Sequence, residues 1–251
     1  MFKPAQNIDE VISHLDAIIL TASSKNDPLG IFPALYQKVT ELVKNGIRDG
    51  RFEDGPHMER LDVIFANRYL RAHYEFAHGR KPTKAWEAAF NAAGKHYLIL
   101  QHLLAGMNAH INLDLGVAAA ETAPPAELPS HETDFFEISN LLTNQIENVQ
   151  QQLNKLSPLL FLLDWIGKKS DERFAAFSLQ KARNHAWRVA QRLAPLSGKQ
   201  RTEQITELDG YVAILNKLIT APGLLAGFFI RLIEWFEEKN VAKIIQSLRQ
   251  N

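Results

Sequence analysis

The segment from His96 to Leu113 restricts the fold more than any other part of the chain, because it contains no Asp, Glu, Lys or Arg. By length it could span a bilayer as a helix. Its amide and imidazole side chains argue against that placement, because each would need a hydrogen-bond partner in lipid. These side chains belong to Gln101, His102, Asn108, His110 and Asn112. We therefore expect no transmembrane segment, and a helix that other helices enclose.

Apolar residues elsewhere in the chain recur at spacings of three and four, which is the period of an amphipathic helix. Residues 7–20, 31–47 and 57–78 show this pattern most clearly. No alternating strand occurs, and no Asn-Gly or Asp-Gly hairpin flanked by β-branched runs. The sequence therefore predicts an all-α fold, a multi-helix bundle around a central buried helix at about residues 96–118.

One segment without periodicity, residues 121–131, divides the helical pattern. It holds Pro124, Pro125 and Pro129, and proline clusters of this kind mark linkers. Neither half of the chain has enough polar surface to cover its own apolar faces. We therefore expect a single helical domain over residues 1–251, with the Pro-rich linker between its two halves.

The balance of charge excludes several classes of partner. Lys and Arg together number 28, as do Asp and Glu, so the formal net charge is zero. Nucleic acids and anionic membranes favour clustered Lys and Arg, so we expect no nucleic acid as a partner. The absence of Cys removes disulfides, thiolate nucleophiles and Cys-ligated metal sites. Charged residues interrupt residues 1–22, so we expect no signal peptide and a cytoplasmic location.

The strongest candidate for a chemical site lies at the end of the charge-free segment. His110 and Asp114 are four residues apart, so on a helix they share a face with about 6 Å of rise between them. Two roles fit this spacing. The pair could chelate a divalent metal through imidazole and carboxylate, or Asp114 could orient His110 as a general base.

A second polar stripe on the same helix, formed by Gln101, Asn108 and Asn112, lies roughly opposite this pair. Two polar stripes on a charge-free helix predict contacts from several sides. Buried polar groups need partners from neighbouring helices, and such networks often surround cavities. The alternative is a satisfied network that only fixes helix register. The sequence leaves both alternatives open.

Two further helices carry candidates that could reach the pair. Arg68 and Tyr69 lie among apolar residues, so at least one of them should be buried, while a surface position for Arg68 remains open. Arg183 flanks an alanine stripe and could pair inward with Asp114 or Asp134. Alternatively, it stacks at the surface on the tryptophan one turn further along.

Common catalytic motifs are missing from the chain. It has no phosphate-binding glycine loop, no G-x-S-x-G and no H-E-x-x-H, so NTPase, serine-esterase and zinc-protease functions lose their usual support. The apolar run at residues 221–230 is followed by several glutamates. It fits a core helix or a homodimer interface better than a membrane-surface helix.

The string GMNAHINLDL at residues 106–115 resembles the bacterial domain-of-unknown-function family 5995, which is helical and has no assigned activity. FANRYLRAHY before it and DFFEISNLL and ARNHAW after it extend the resemblance over about residues 30–195. The resemblance implies a shared pocket formed by residues at motif positions. They are Arg68, Tyr69, Asn108, His110, Asp114, Asp134, Asn140, Arg183 and Trp187.

The hypothesis that follows is an enzyme acting on a small, partly apolar molecule in a polar-lined internal cavity, with Arg68 or Arg183 holding an anionic group. Its catalytic candidates are His110, Asp114, Arg68, Tyr69 and Arg183. Its ligand-binding candidates are Asn108, Asn112, Asp134, Asn140 and Trp187. The alternatives are a non-catalytic carrier of a hydrophobic small molecule, or a structural protein with a buried polar network. The substrate and any divalent metal cofactor at His110 and Asp114 are left open.

Overall fold

The structure is a computed structural model that describes residues 1–93, 97–162, 179–221 and 224–250. Within these ranges the side chains of residues 143–146 and 224–226 are not described. His96, the first residue of the charge-free segment, lies outside the described residues. The described part of the chain folds into α-helices joined by turns and contains no β-strand. The predicted all-α fold is therefore confirmed.

The helices alternate with short connections along the described chain. A π-helical segment, His110–Leu115, joins the fifth helix to the sixth without a break. Single 3-10 turns, Pro28–Gly30 and Leu128–His131, precede the second and seventh helices. The α-helices are α1 (Ile8–Lys25), α2 (Ile31–Arg48), α3 (Gly55–Ala77), α4 (Lys84–Phe90), α5 (Ile99–Ala109), α6 (Gly116–Thr122), α7 (Glu132–Leu156), α8 (Leu179–Leu193), α9 (Gly198–Thr220), α10 (Leu224–Phe236) and α11 (Val241–Arg249).

Residues 99–122, which comprise α5, the π-helical segment and α6, form the central helix of the bundle. Its first part packs against α2, α4 and α9, and its last part against α3 and α8. The π-helical segment between them contacts α3, α8 and α9. Residues 112–120 are all buried. The enclosed helix that the charge-free segment predicts is thus present, with the polar side chains inside the protein.

The backbone of the central helix approaches its neighbours closely at two glycines. A Cβ atom on Gly106 would lie 2.5 Å from the ring of Phe32 in α2. A Cβ atom on Gly116 would lie 2.7 Å from the backbone oxygen of Ala186 in α8. Interiors are packed too densely to absorb such overlaps. Glycine at these positions therefore lets α2 and α8 pack directly on the polar part of the central helix.

The Pro-rich linker is short and ordered into turns. The central helix ends at Thr122, the 3-10 turn Leu128–His131 follows, and α7 begins at Glu132. The largest cluster of buried apolar side chains draws on both sides of the linker, including Leu61 and Leu113 before it and Phe135 and Leu193 after it. The assignment of residues 1–251 to one domain stays a prediction.

The helix α4 begins with side-chain help from a distant helix. Both carboxylate oxygens of Asp209 in α9 accept hydrogen bonds, from the backbone N–H groups of Lys84 and Ala85, each at 2.8 Å. Free N–H groups at a helix start need such partners. The neighbouring Thr83 hydroxyl is consequently not used as a cap, and it is buried with no hydrogen-bond partner among the described residues.

Apolar side chains are exposed on α9 and α10, two of the three helices nearest the C-terminus. Those of α9 are Tyr211, Ile214, Leu215 and Leu218, and those of α10 are Phe228, Trp235 and Phe236. A homodimer through this region stays a prediction. Among the described helices, none combines the length and the apolar character that a membrane crossing requires.

Candidate functional site

Asp114 lies at the centre of the candidate site and is 1% exposed. Its Oδ1 accepts a hydrogen bond of 2.8 Å from Nε of Arg68, and its Oδ2 accepts one of 2.7 Å from the indole Nε1 of Trp86. Its Oδ2 also lies 3.8 Å from Nδ1 of His110. Three side chains, from α3, α4 and the π-helical segment itself, therefore meet at one buried carboxylate.

The positions of these side chains follow from the local helix geometry. His110 and Asp114 are the first and fifth residues of the π-helical segment, so they face the same side. Arg68 comes from the middle of α3, which packs against that segment, and Trp86 comes from α4, which packs against α5. π-helical turns are rare and occur frequently at functional sites. The predicted proximity of His110 and Asp114, with Arg68 beside them, is present.

His110 is enclosed by aromatic rings. Its imidazole stacks on Phe65 with ring centroids 3.6 Å apart, and the ring of Tyr36 meets it edge-on at 4.3 Å. Burial lowers the pKa of His110, while the Asp114 carboxylate opposes the shift. The imidazole is therefore neutral near pH 7. Aromatic rings surround His110, which is 3% exposed, so its imidazole is shielded from solvent.

Several buried polar atoms around His110 have no hydrogen-bond partner within the described part of the chain. They are both ring nitrogens of His110 and the hydroxyl oxygens of Tyr36 and Tyr69. Burial raises the pKa of the Tyr69 hydroxyl far above its ordinary value, so it stays protonated. Buried polar groups in a purely structural network are normally paired. This side of the central helix therefore does not have the character of a satisfied structural network.

An open cleft of about 510 Å³ leads from the surface to Asp114. Asp114, Arg68 and Trp86 contribute to its wall beside the α3 residues Asn67 and Arg71. Thr83 also lines it, although its unpartnered hydroxyl is buried. The remaining lining residues are Phe2, Pro4, Ile64, Ala72, Glu75 and Glu121. The cleft thus combines apolar walls with charged and hydrogen-bonding groups, as small-molecule sites usually do.

The guanidinium groups near the cleft are only loosely paired. Nη1 of Arg68 lies 3.9 Å from Oε1 of Glu121, and Nη2 of Arg201 lies 4.0 Å from the same oxygen. Both distances exceed a hydrogen bond. Arg71 is exposed, and its guanidinium lies 5.6 Å from the ring centre of Phe2. Arg68 is oriented by Asp114 through Nε, so its terminal nitrogens remain available to an anionic group.

The amide side chains on the other face of the central helix form a satisfied network. Asn108 donates to the backbone oxygen of Val212 in α9 at 3.0 Å, and Asn112 donates to Oδ1 of Asn108 at 2.9 Å. Gln101 donates to the backbone oxygen of Ile219 at 3.0 Å. These bonds fix the register of the central helix against α9. The structural alternative therefore describes Gln101 and Asn108, whereas Asn112 also lines a second cleft of about 350 Å³, and its ligand-binding role stays a prediction.

Other predicted site residues lie between α7 and α8, outside the cleft. Arg183 is buried and donates to the hydroxyl of Ser139 at 2.6 Å, so the expected ion pair with Asp114 or Asp134 is not formed. Asp134 instead accepts hydrogen bonds from the backbone N–H groups of Glu53 and Asp54.

The last two of these residues are also explained by local packing. Asn140 is exposed and donates to Glu137, and Trp187 is buried against Phe135 with ring centroids 4.9 Å apart. The surface stacking of Arg183 on Trp187 is not observed either, because both side chains are buried. The residues that the resemblance implies therefore do not share one pocket.

The His110–Asp114 pair offers a cation only two ligands. Asp114 already accepts hydrogen bonds at both oxygens, one of them from the positively charged Arg68. Within the described ranges, the three-residue cluster that could hold a metal ion is a different one, formed by Asp54, His57 and His131. A divalent metal at His110 and Asp114 stays a prediction, and the structure adds no third ligand to it.

Sequence reasoning missed the residues that complete the site. Trp86 and Thr83 belong to none of the motifs described above, and Arg71 lies within FANRYLRAHY without being one of the residues that the resemblance implies. The spacing of Arg68 and Arg71, three residues apart on one helix face, was the one available signal. The link between Trp86 and Asp114 depends on how α4 packs and leaves no periodic trace.

The fold and the site define an all-α bundle in which a buried aspartate of the central helix binds an arginine of α3 and a tryptophan of α4 beside a cleft. The chain matches the family described as "Family of unknown function (DUF5995)" over residues 8–222. It therefore belongs to the DUF5995 family, as the resemblance implied. No curated protein and no solved structure matches the chain.

Proposed function

We propose that this protein binds a small, partly apolar molecule with an anionic group in the cleft beside Asp114. The observation that carries this proposal is the orientation of Arg68, whose Nε is fixed by a carboxylate that is 1% exposed. The terminal nitrogens of Arg68 face a cleft that also holds Arg71. Guanidinium groups bind carboxylates and phosphates through paired hydrogen bonds. The cleft therefore favours a carboxylate or a phosphate monoester as the anionic group.

The other walls of the cleft suit the rest of such a molecule. Phe2, Ile64 and Trp86 offer apolar contacts, and the hydroxyl of Thr83 and the amide of Asn67 offer hydrogen bonds. The side-chain oxygen of Asn67 already accepts a hydrogen bond from the backbone N–H of Ala5, and its side-chain nitrogen donates one to the backbone oxygen of Ala5. The hydroxyl of Thr83 has no partner among the described residues but is buried, so a ligand would reach it only after a local rearrangement.

Catalysis is the second candidate function, and the proximity of His110 to Asp114 favours it. An anionic ligand that draws the guanidinium of Arg68 away from Oδ1 would leave Asp114 as a carboxylate base at the cleft wall. The indole of Trp86 would then hold Asp114 in position through Oδ2, and the neutral His110 could close its 3.8 Å separation from the same oxygen to a hydrogen bond. In this version Asp114 touches the ligand and His110 acts through it. Arg183 takes no part, because it lies between α7 and α8.

A panel of small acids tests the proposal. We expect benzoate, phenylacetate, hexanoate or phenyl phosphate to raise the melting temperature of the protein, and the matched amide benzamide to have no effect. Arg71→Gln should weaken the affinity for the best acid about 10- to 100-fold in isothermal titration, because a charged hydrogen bond contributes roughly 1.5–3 kcal/mol. Arg71 is exposed, so the substitution should leave folding intact.

Arg80→Gln is the matched control, because Arg80 is also exposed and lies just beyond the end of α3. It should bind the acid as the wild-type protein does. Equal binding of benzoate and benzamide, or unchanged affinity in Arg71→Gln, would contradict the proposal. Nuclear magnetic resonance of the bound acid over time separates the two candidate functions, since a carrier leaves the acid unchanged.

A further inference from the structure

Two histidines and an aspartate come together at the N-terminal end of α3, away from the cleft. Asp54 and His57 lie at the start of α3, and His131 lies at the end of the 3-10 turn before α7. Possible ligand atoms of all three lie within 4.8 Å of one another. His57 precedes Arg68 by eleven positions on the same helix, which is about 16 Å of rise. The cluster is therefore separate from the Asp114 cleft.

The two imidazole rings of the cluster lie against each other. They stack in parallel, with centroids 3.5 Å apart and an interplanar angle of 3°. In a tetrahedral zinc site with Zn–N bonds of about 2.0–2.1 Å, two coordinating nitrogens are roughly 3.4 Å apart. The possible ligand atoms of the three residues lie within 4.8 Å of one another, so metal binding requires the two rings to rotate out of the stack until their nitrogen lone pairs point at one ion.

The ligand atoms of the cluster are not used by other protein groups. The side chains of His57 and His131 make no hydrogen bond to any described residue, although His57 is only 3% exposed. Asp54 uses Oδ1 to cap α3 through the backbone N–H of His57, at 2.9 Å, and its Oδ2 is left over. The ring nitrogens of both histidines are therefore free to bind an external group.

Asp134 holds the turn that carries the aspartate ligand. Its two oxygens accept hydrogen bonds of 2.8 Å from the backbone N–H groups of Glu53 and Asp54. Asp134 is 3% exposed and belongs to the first turn of α7, three residues after His131. Metal sites commonly have such supporting groups behind their ligands. The resemblance marks Asp134 as a motif residue, and this position gives it a role.

We propose that Asp54, His57 and His131 form a binding site for a divalent transition metal, with Zn²⁺ as the ion that fits two imidazoles and one carboxylate. The fourth coordination position is left to water or to a small ligand. A metal there ties the start of α3 to the start of α7. It therefore fastens the end of the Pro-rich linker, residues 121–131, onto the first half of the chain.

Zinc titration of the full chain tests the site. The protein is prepared without a metal-affinity tag, stripped with EDTA, and titrated with ZnCl₂ by calorimetry, with bound zinc counted by mass spectrometry. We expect one Zn²⁺ per chain and a higher melting temperature when it is bound. Asp54→Asn keeps the helix cap and removes the charged ligand, and His131→Ala changes a partly exposed side chain. Each should weaken zinc binding at least about tenfold.

Two control variants make the outcome specific. His78→Ala removes an exposed histidine at the other end of α3 and should leave zinc binding unchanged. His110→Ala should also leave it unchanged, and it tests the metal prediction for the His110–Asp114 pair in the same experiment. Absence of stoichiometric zinc would overturn the proposal. Wild-type affinity in both Asp54→Asn and His131→Ala, with circular dichroism showing folded protein, would overturn it as well.

Discussion

Asp114→Ala is expected to lower the free energy of unfolding by about 3–5 kcal/mol, because it breaks a buried ion pair by removing one partner. The guanidinium of Arg68, whose side chain is 21% exposed, would lose the charge that compensates it. The indole N–H of Trp86 would also be left buried without its acceptor. Urea unfolding followed by circular dichroism measures the loss.

Glu121→Ala is the matched control for this variant. Glu121 is a carboxylate near the same guanidinium, at 3.9 Å from Nη1 of Arg68, but its side chain is 39% exposed. Exposed ion pairs contribute at most about 1 kcal/mol, so the control should change little. If Asp114→Ala and Glu121→Ala destabilise the protein by the same small amount, Asp114 does not organise the site as described.

Asp62→Asn is expected to raise the free energy of unfolding relative to the wild-type protein, and to do so more at alkaline pH than at acidic pH. Asp62 on α3 is 7% exposed, and its Oδ2 is buried with no hydrogen-bond partner among the described residues. Burial, with a smaller contribution from Glu59, raises the pKa of its carboxyl from 3.8 to about 7. Asparagine has nearly the same shape and does not ionise, so it removes the cost of a buried charge.

The direction of this effect follows from proton linkage. Between about pH 4 and pH 7 the folded protein keeps the proton on Asp62 while the unfolded chain releases it, so stability falls as the pH rises through this window. From pH 5 to pH 8 the wild-type protein should lose about 2–3 kcal/mol more than Asp62→Asn does. Urea unfolding of both proteins at the two pH values measures this difference. A pH-independent difference would show that Asp62 titrates normally.

The fold could be predicted because helix periodicity is a local property of the chain. The apolar pattern at residues 57–78 corresponds to α3, Gly55–Ala77, and the pattern at 31–47 to α2, Ile31–Arg48. The charge-free segment indicated an enclosed helix, since Asn and Gln side chains can be buried when neighbouring backbone groups accept their hydrogen bonds. The π-helical turn at His110–Leu115 could not be predicted, because local spacing does not show where a helix widens.

The candidate site could be predicted only where its residues are close in sequence. His110 and Asp114 are one turn apart, and Arg68 was recognisable as a charge among apolar neighbours. The bond from Trp86 to Asp114 spans 28 positions, and it depends on where α4 lies against the bundle. The Asp54–His57–His131 cluster joins residues that precede the central helix in the sequence to one that follows it. Such contacts are set by packing, which sequence spacing alone does not encode.

The separation of the predicted residues into three groups is the main difference between expectation and structure. Amide groups on a central helix can bind a ligand or a neighbouring backbone, and their identity does not distinguish the two. Here Asn108 donates to the backbone of α9, Asn112 donates to Asn108, and Arg183 donates to Ser139. What remains for a ligand is the cluster around Asp114, where donors and acceptors are only partly used.

A crystal structure of the protein with the best acid from the panel tests the proposed binding site. We expect the carboxylate or phosphate to lie within hydrogen-bond distance of Arg68 and Arg71, with the apolar part of the acid against Phe2 or Trp86. A second cleft of about 350 Å³, lined by residues that include Asn112, His185 and Arg192, offers an alternative position on the same protein. Electron density for the acid in that second cleft, with none beside Asp114, would contradict the proposed binding site.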